Sequence, residues 1–338
     1  MRVVDKVAKA TMDAMLRQGA NGFGAMDAAT AGGMAFLQGE LEKRDPKVRE
    51  PLTSVTWMRD IVCKTGGGFV DFTSAFNVNY GTSGANMLGL MGGETTAIPL
   101  MQADLSKDLW PVFGWSNILK VPFMDQQKMQ QVGRSLDDLL DKGIRLNWSK
   151  ANDLIVYQGF GGSPGIVNNS NITAVAVANN AAGTSKLWKN KTPDEILADF
   201  NQVLVNTWAA SEYDITGMAN HILIPPAQYA DICNRKVSDA GNCSILTYLM
   251  ENNIGVKQGV DVQIFPSRWC KAAGAAGVDR MVGYVNDEDR LYFDQTVPIN
   301  RAMTAPDVKE AAYLTLYVGQ IGVPKFLYLQ PTGYFDGI

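Results

Sequence analysis

Histidine and cysteine are scarce in this 338-residue chain, and long apolar runs are absent. His221 is the only imidazole, so any histidine general base has to be that residue. Cys63, Cys233, Cys243 and Cys270 form no C-x-x-C, and the C-x9-C spacing of the middle pair fits no usual zinc site. With no disulfide framework in view, the pattern points to a reducing compartment. No run of ~18 apolar residues occurs, which excludes a membrane-spanning helix. Met1 to Lys6 lacks the apolar core of a signal peptide, so the sequons at Asn147, Asn168, Asn171 and Asn190 read as chance. The net charge is −4 without a basic cluster, so bulk attraction to a polyanion is not the basis of function. Neither Lys nor Arg lies between Lys64 and Lys107. The chain is expected to be a soluble protein made in the cytosol, with no membrane partner.

What is present is enough for a sizeable core, 46% hydrophobic residues, together with 33 glycines and 15 methionines that suggest long loops and adaptable contacts. The stretch from Ser135 to Asn168 organises the rest. Ser135 and Asp138 make an S-x-x-D capping box. Leu136, Leu139, Leu140, Gly143, Ile144, Trp148, Ala151, Leu154 and Ile155 then recur at helical spacing, leaving Asp137, Asp141, Lys142, Arg145 and Lys150 outside. The spacing predicts a spine helix over 136–157 that stops at Gly159-Phe160-Gly161-Gly162-Ser163-Pro164-Gly165. Gly143 is its candidate hinge, since glycine weakens a helix by ~1 kcal/mol relative to alanine.

Before the spine, residues 1–63 carry few marks of a compact unit and read either as a frayed terminus or as an arm ordered by a partner. Val70, Phe72, Ser74, Phe76, Val78 and Tyr80 alternate with Asp71, Thr73, Ala75, Asn77 and Asn79, which predicts a long two-faced strand. An uncharged, glycine-rich tip from Gly81 to Gly93 follows, bearing Met87, Leu88, Leu90 and Met91, and a weaker strand over 95–104 returns. Such a tip left in water is an aggregation hazard, so this hairpin is expected to be covered by another subunit through Tyr80, Met87, Leu88, Leu90 and Met91.

Residues 110–122 read as a second extended piece and 125–132 as a short helix. Beyond the corner, 171–178 is β-branched, and Thr192-Pro193-Asp194-Glu195 marks a strong helix start. Ile196, Leu197, Phe200, Val203, Leu204 and Trp208 fall on one side of that helix. His221 to Ile224 reads as a buried strand, 226–233 and 244–252 as helices, and 260–265 as a strand, which makes a mixed α/β unit. Strands are expected at 281–285, 290–294, 311–321 and 325–330.

No chemistry survives inspection. Gly161-Gly162-Ser163-Pro164-Gly165 matches the G-x-S-x-G elbow of hydrolases, yet a helix precedes it and Pro164 has no N–H for an oxyanion hole. His221 opens an apolar strand and reads as structural. The glycine runs at 66–68 and 89–93 lack a phosphate-cradle pattern. Asp287 and Asp289 read as a plain acidic turn. No catalytic, metal-binding or cofactor-binding residue is assigned.

The order of parts resembles the major capsid proteins of tailed bacteriophages with the HK97-like fold, in their encapsulin-related branch. The wording that carries the resemblance begins with Phe36-Leu37 through Leu41-Glu42 and Asp45-Pro46-Lys47-Val48-Arg49-Glu50-Pro51-Leu52-Thr53-Ser54. It continues with Gly165-Ile166-Val167-Asn168, Thr192 to Asp199, Pro225-Pro226-Ala227-Gln228-Tyr229 and Tyr334-Phe335-Asp336-Gly337-Ile338. The resemblance implies an α+β fold with an N-terminal arm (1–63) and an extended loop, the E-loop (64–108), lying over a neighbouring subunit. It further implies a peripheral P-domain (109–161 and 284–324) and an axial A-domain (162–283 and 325–338). It implies self-assembly as pentamers and hexamers into an icosahedral head around double-stranded DNA, with only weak contact to that DNA. A portal and a decoration protein are implied partners. The virion is the implied location, with the host cytoplasm during assembly.

Some such capsids join an E-loop lysine to a neighbour's asparagine, and the lysine-free stretch here implies that this reaction is absent. The arm before residue 35 lacks a long charged helical prodomain, which implies a separate scaffolding protein or a removed segment absent from this chain. Two other readings stand beside this one: a cellular encapsulin-type shell around an enzyme cargo, and a soluble α/β hydrolase.

Overall fold

The capped run ahead of the glycine corner is a single helix, Leu136–Gln158, of 23 residues, roughly 35 Å long at ~1.5 Å per residue. The computed structural model describes residues 51–83, 100–131, 136–238 and 242–338. Ser135, the tip residues Met87, Leu88, Leu90 and Met91, and the arm up to residue 50 lie outside them. Residues 54–338 form one unit by their contacts.

A helical turn, Trp57–Asp60, leads into β1 (Val62–Thr65). The long hairpin follows as β2 (Phe72–Ser83) and β3 (Leu100–Pro111), with β4 (Phe113–Pro122) directly after it. The return strand therefore runs seven residues past the expected end at 104. Its ladder holds because β2 supplies a partner for every residue from Leu100 to Pro111. A short helix, Phe123–Gln131, precedes the spine.

The spine's buried face is Ile144, Trp148, Asn152, Asp153, Ile155, Val156 and Tyr157. Leu154, expected on that face, is 41% exposed. Polar residues take its place. The Asn152 amide donates back to the Trp148 carbonyl (3.1 Å), and Asp153 is drawn inward by four donors described below. Three consecutive buried residues at 155–157 mean that the helix end is enclosed on most sides.

Glycine stops the helix for steric reasons. Gly159 has φ +75°, and a Cβ there would lie 2.0 Å from the Ser163 carbonyl oxygen. The chain folds through β5 (Gly159–Phe160) and β6 (Ser163–Pro164). It returns so that the Ile166 and Val167 N–H groups donate to the Val156 and Tyr157 carbonyls (2.9 and 3.2 Å). Those are carbonyls a helix C-terminus otherwise leaves unpaired.

Next come β7 (Ala174–Ala176) and the helix Pro193–Ala210, which has a full Thr192/Glu195 capping box with proline in its first turn. Strand β8 (His221–Ile224) is buried at every position. Helices Pro226–Asn234 and Ile245–Asn252 lead to β9 (Gln263–Pro266). The chain closes with β10 (Arg280–Tyr284), β11 (Leu291–Gln295), β12 (Val297–Asp307), β13 (Ala312–Ile321), β14 (Pro324–Phe326) and β15 (Gly333–Asp336).

Three sheets build the body. The order β7-β15-β10-β8-β9 forms a five-stranded sheet covered by the capped helix. Ile196, Phe200, Val203, Leu204, Ile222 and Ile224 are fully buried in its core. The order β12-β13-β4 forms a sheet against the spine, joined by Leu119, Val121, Ile144 and Tyr317. The order β1-β11-β14 forms the third. The hairpin stands outside all three as a two-stranded ladder.

Candidate functional site

The residues with hydrolase-like spacing do not make an active site. Ser163 opens the two-residue strand β6, paired with β5 just behind the spine, and the helix that an elbow needs after its nucleophile does not follow. His221 is buried between the rings of Phe265 and Tyr284, its Nε2 3.3 Å from Asp60 Oδ1. Asp60 also accepts Arg59 Nε (2.6 Å) and Nη2 (2.9 Å) and the Tyr157 hydroxyl, while the Tyr284 hydroxyl donates to its carbonyl. Burial alone would raise the Asp60 carboxyl. Hydrogen bonds from His221, Arg59 and Tyr157 outweigh it and hold the group below its ordinary value.

A second buried carboxylate, Asp153 of the spine, accepts the Thr56 and Trp57 N–H groups (2.9 and 3.2 Å). It also takes Arg268 Nη2 (3.0 Å) and Trp269 Nε1 (2.8 Å). These two clusters pin the turn at 56–60 onto the spine and the five-stranded sheet. Their work is structural. Burial pushes the Cys63 thiol up to about 11 and the Cys270 thiol up to about 12, so both stay protonated at neutral pH. Asp287 closes its own turn by accepting the Asp289 N–H (2.8 Å).

The unusual surface is the hairpin. In an antiparallel ladder directly paired residues share a face. The register pairs Phe72 with Pro111, Ser74 with Leu109, Phe76 with Lys107, Val78 with Leu105 and Tyr80 with Ala103. Thr82 pairs with Met101 in turn. One face thus carries Phe72, Phe76, Val78, Tyr80, Met101, Leu105 and Leu109, every one exposed. Phe76 and Leu105 are each 71% exposed. The other face holds Thr73, Asn77, Asn79, Asp104 and Asp108, and near the base it turns toward the body, where Trp110 packs into the core around the spine. Both faces stand in water over most of the ladder, since Asn79, Asp104 and Asp108 are exposed too, so the apolar face is left without any cover of its own. Tyr80 lies on the apolar face of β2, as the alternation along 70–80 predicts. Met101, Leu105 and Leu109 were missed, although their alternation along 101–109 was there to be read.

The hairpin meets the body at narrow joints. Gly66, Gly67 and Gly68 all have positive φ (118°, 109° and 72°), and an added Cβ would meet nothing closer than 4.0 Å. Conformation, not packing, requires glycine there. On the return side a single residue, Val112, separates β3 from β4. The Gln320 side chain accepts the Val70 N–H (3.1 Å) and donates to the Val70 carbonyl (3.2 Å).

Beside the hairpin base lies a cavity of about 200 Å³ lined by Phe113, Trp115, Leu154, Ile155, Phe160 and Ile321. Leu154 and Phe160 are 41% and 52% exposed at it. Phe113 and Phe160 meet edge to face at 4.9 Å, and Gly161 lies so close to Phe113 that a Cβ would fall 2.4 Å from the ring. Gly143 lies on the exposed side of the spine; the helix runs through it unbroken, with open space where its Cβ would be.

The model of the family described as major capsid protein matches residues 88–338. The chain belongs to that family. As a major capsid protein it self-associates into a viral shell and is a component of the virion. The capsid of Myoviridae Phage XM1 is similar to it over 88% of this chain and 97% of that one, with a TM-score of 0.73 and 14% identity. The capsid of a native GTA particle is similar over 89% and 97%, with a TM-score of 0.62 and 10% identity. A virus-like particle from Pyrococcus furiosus is similar over 82% and 91%, with a TM-score of 0.51 and 12% identity. At such identities the likeness is one of fold, and it is the α+β, HK97-like fold expected from the sequence. A search among curated proteins finds no match.

Proposed function

We propose that this major capsid protein holds its shell together through the hairpin, whose apolar face covers, and is covered by, a neighbouring copy. The single observation behind this reading is the face from Phe72 to Leu109, uncovered in one subunit. Burying it transfers on the order of 10 kcal/mol of apolar free energy, before the cost of ordering both partners is subtracted. In this reading residues 64–108 are the E-loop, and the spine with the β12-β13-β4 sheet is the P-domain. The five-stranded sheet and its helices form the A-domain, which meets its copies at pentamer and hexamer centres. The shell encloses double-stranded DNA through weak, sequence-independent contact, as a net charge of −4 suits. Assembly takes place in the host cytoplasm with a separate scaffolding protein, a portal and a decoration protein as partners.

Particles purified from infected or expressing cells test the cargo. Nuclease-protected double-stranded DNA in infection-derived particles supports the phage head, whereas a folded enzyme cargo without DNA supports an encapsulin-type compartment. The lysine-free stretch between Lys64 and Lys107 gives a second check. A denaturing, reducing gel of mature particles should show monomer alone, and a ladder of covalent multimers would contradict the reading.

A further inference from the structure

We propose that a cleft in the five-stranded unit binds a neutral sugar, with side-chain amides and hydroxyls as its recognition groups. The cleft, about 310 Å³, opens where three segments converge: the loop entering β7, the last turns of the helix Pro193–Ala210, and the turn leading into β15. That volume stands at the lower end of the ~300–1,000 Å³ of small-molecule sites and suits one or two sugar rings. Five polar side chains line it: Asn171, Thr173, Asn206, Gln330 and Thr332. None of the five makes a side-chain hydrogen bond among the described residues. Thr332 is only 7% exposed, and a hydroxyl so enclosed calls for a bonding partner from outside the chain.

The lining decides the ligand class. It holds no charged side chain, so a phosphate, a carboxylate or a metal ion would lose its water there without compensation. Arg290, on the adjoining surface past Gln330, is already engaged: its Nη2 donates to Thr216 Oγ1 (2.9 Å) and its guanidinium lies over the Tyr328 ring at 4.8 Å. Amides and hydroxyls both donate and accept, as sugar hydroxyls do. Val175, Leu329 and Phe335 supply apolar surface for the C–H faces of a ring. Gly333 keeps room beside them, since an added Cβ would lie 3.2 Å from the Phe335 ring and 3.4 Å from the Thr207 methyl. The site is also held in advance, which lowers the ordering cost of binding. The Thr332 N–H donates to the Leu329 carbonyl (3.1 Å), fixing the turn that bears Gln330. The Asn169 N–H donates to the Tyr334 hydroxyl (3.0 Å), and Asn169 accepts the Asn171 and Ile172 N–H groups (3.0 and 3.2 Å). The loop before β7 is thereby tied to β15. An extended peptide fits less well, because it is held chiefly by main-chain bonds to a sheet edge. Strand β7 is only three residues long, and the free donors and acceptors here are side chains.

The test uses the purified full chain, with glucose, galactose and N-acetylglucosamine as probes, read by saturation-transfer NMR and titration calorimetry. At least one of the three should bind saturably. Glucuronate should bind about tenfold more weakly than the best of them, because its carboxylate meets no cation. Thr332→Val and Asn206→Leu remove polar atoms while keeping a side chain in place. Each should weaken the binding about fivefold or more, with the melting temperature unchanged. The glucuronate comparison needs no variant and stands even where one fails to fold. No saturable binding of any of the three sugars, equal binding of glucuronate, or full affinity in both variants would overturn the proposal. Tighter binding of a capped tetra-alanine peptide than of any sugar would overturn it as well and reassign the cleft to a protein segment.

Discussion

Strands β8 and β2 carry similar apolar side chains and put them to opposite use. His221–Ile224 is four residues long and buried at every position. Phe72–Ser83 is twelve residues long, and its apolar side chains stand exposed. The first strand draws its stability from the core around Phe200 and Ile222. The second has no core, and a lone two-stranded ladder is marginal in water. The hairpin's apolar residues therefore add little to the monomer, and on the proposed reading they gain their free energy when subunits meet. On that reading, folding and assembly rest on different residues.

That contrast breaks most readily by truncating one phenylalanine on each side. Phe200→Ala, in the five-stranded unit's core, should lower monomer stability by about 3–5 kcal/mol in urea titration. Phe76→Ala should stay within about 0.5 kcal/mol in the same titration and reduce assembly instead. Equal losses of monomer stability would show that the hairpin belongs to the folding core.

Removing the carboxylate that pins the turn at 56–60 should have the next largest effect. Asp153→Ala strands the Thr56 and Trp57 N–H groups and the Trp269 indole N–H. The expected cost is about 2–4 kcal/mol in urea titration, with Arg268 discounted because it is half exposed.

The pH dependence should also sit in the body. Asp60 titrates below its ordinary value when folded, so its contribution is present above the unfolded carboxylate pKa of ~3.9. It is lost as pH falls from there through the lower folded value. Melting temperatures of wild type and Asp60→Asn should converge as the pH is taken down through that window. Convergence on raising the pH would reverse the sign and refute the assignment. The smallest effect is expected at Gly143→Ala, a gain of about 1 kcal/mol, since the site is exposed and nothing obstructs a Cβ. If Gly143 serves as a hinge, the same change should also narrow the range of shell sizes seen by electron microscopy.

Most of the body was legible because its signals are local. The Thr192 capping box, the proline that follows it and the apolar run at 221–224 each fix an element without help from distant residues. Trp57, Ile61 and β1 escaped notice because four-residue elements carry too few periods to register. Their partners are distant in sequence: Trp57 bonds to Asp153, and β1 pairs with β11 at 291–295. Strand β12 was missed for a related reason: Pro298, Pro306 and its register shifts interrupt any alternation. Leu154 was misplaced because the pattern assumed that polar residues face water, whereas Asn152 and Asp153 are buried with partners. The exposure of both hairpin faces and the cavity at its base could not be read from the sequence. Alternation reveals that a strand has two faces, but not whether either meets the body.

The most direct measurement is electron microscopy of particles assembled in infected cells, which supply the other assembly proteins, from the native chain and from a variant with Phe76, Val78 and Leu105 changed to Asp. The account predicts closed shells for the first. The variant should keep a wild-type melting temperature and form none. Shells from both proteins would contradict it.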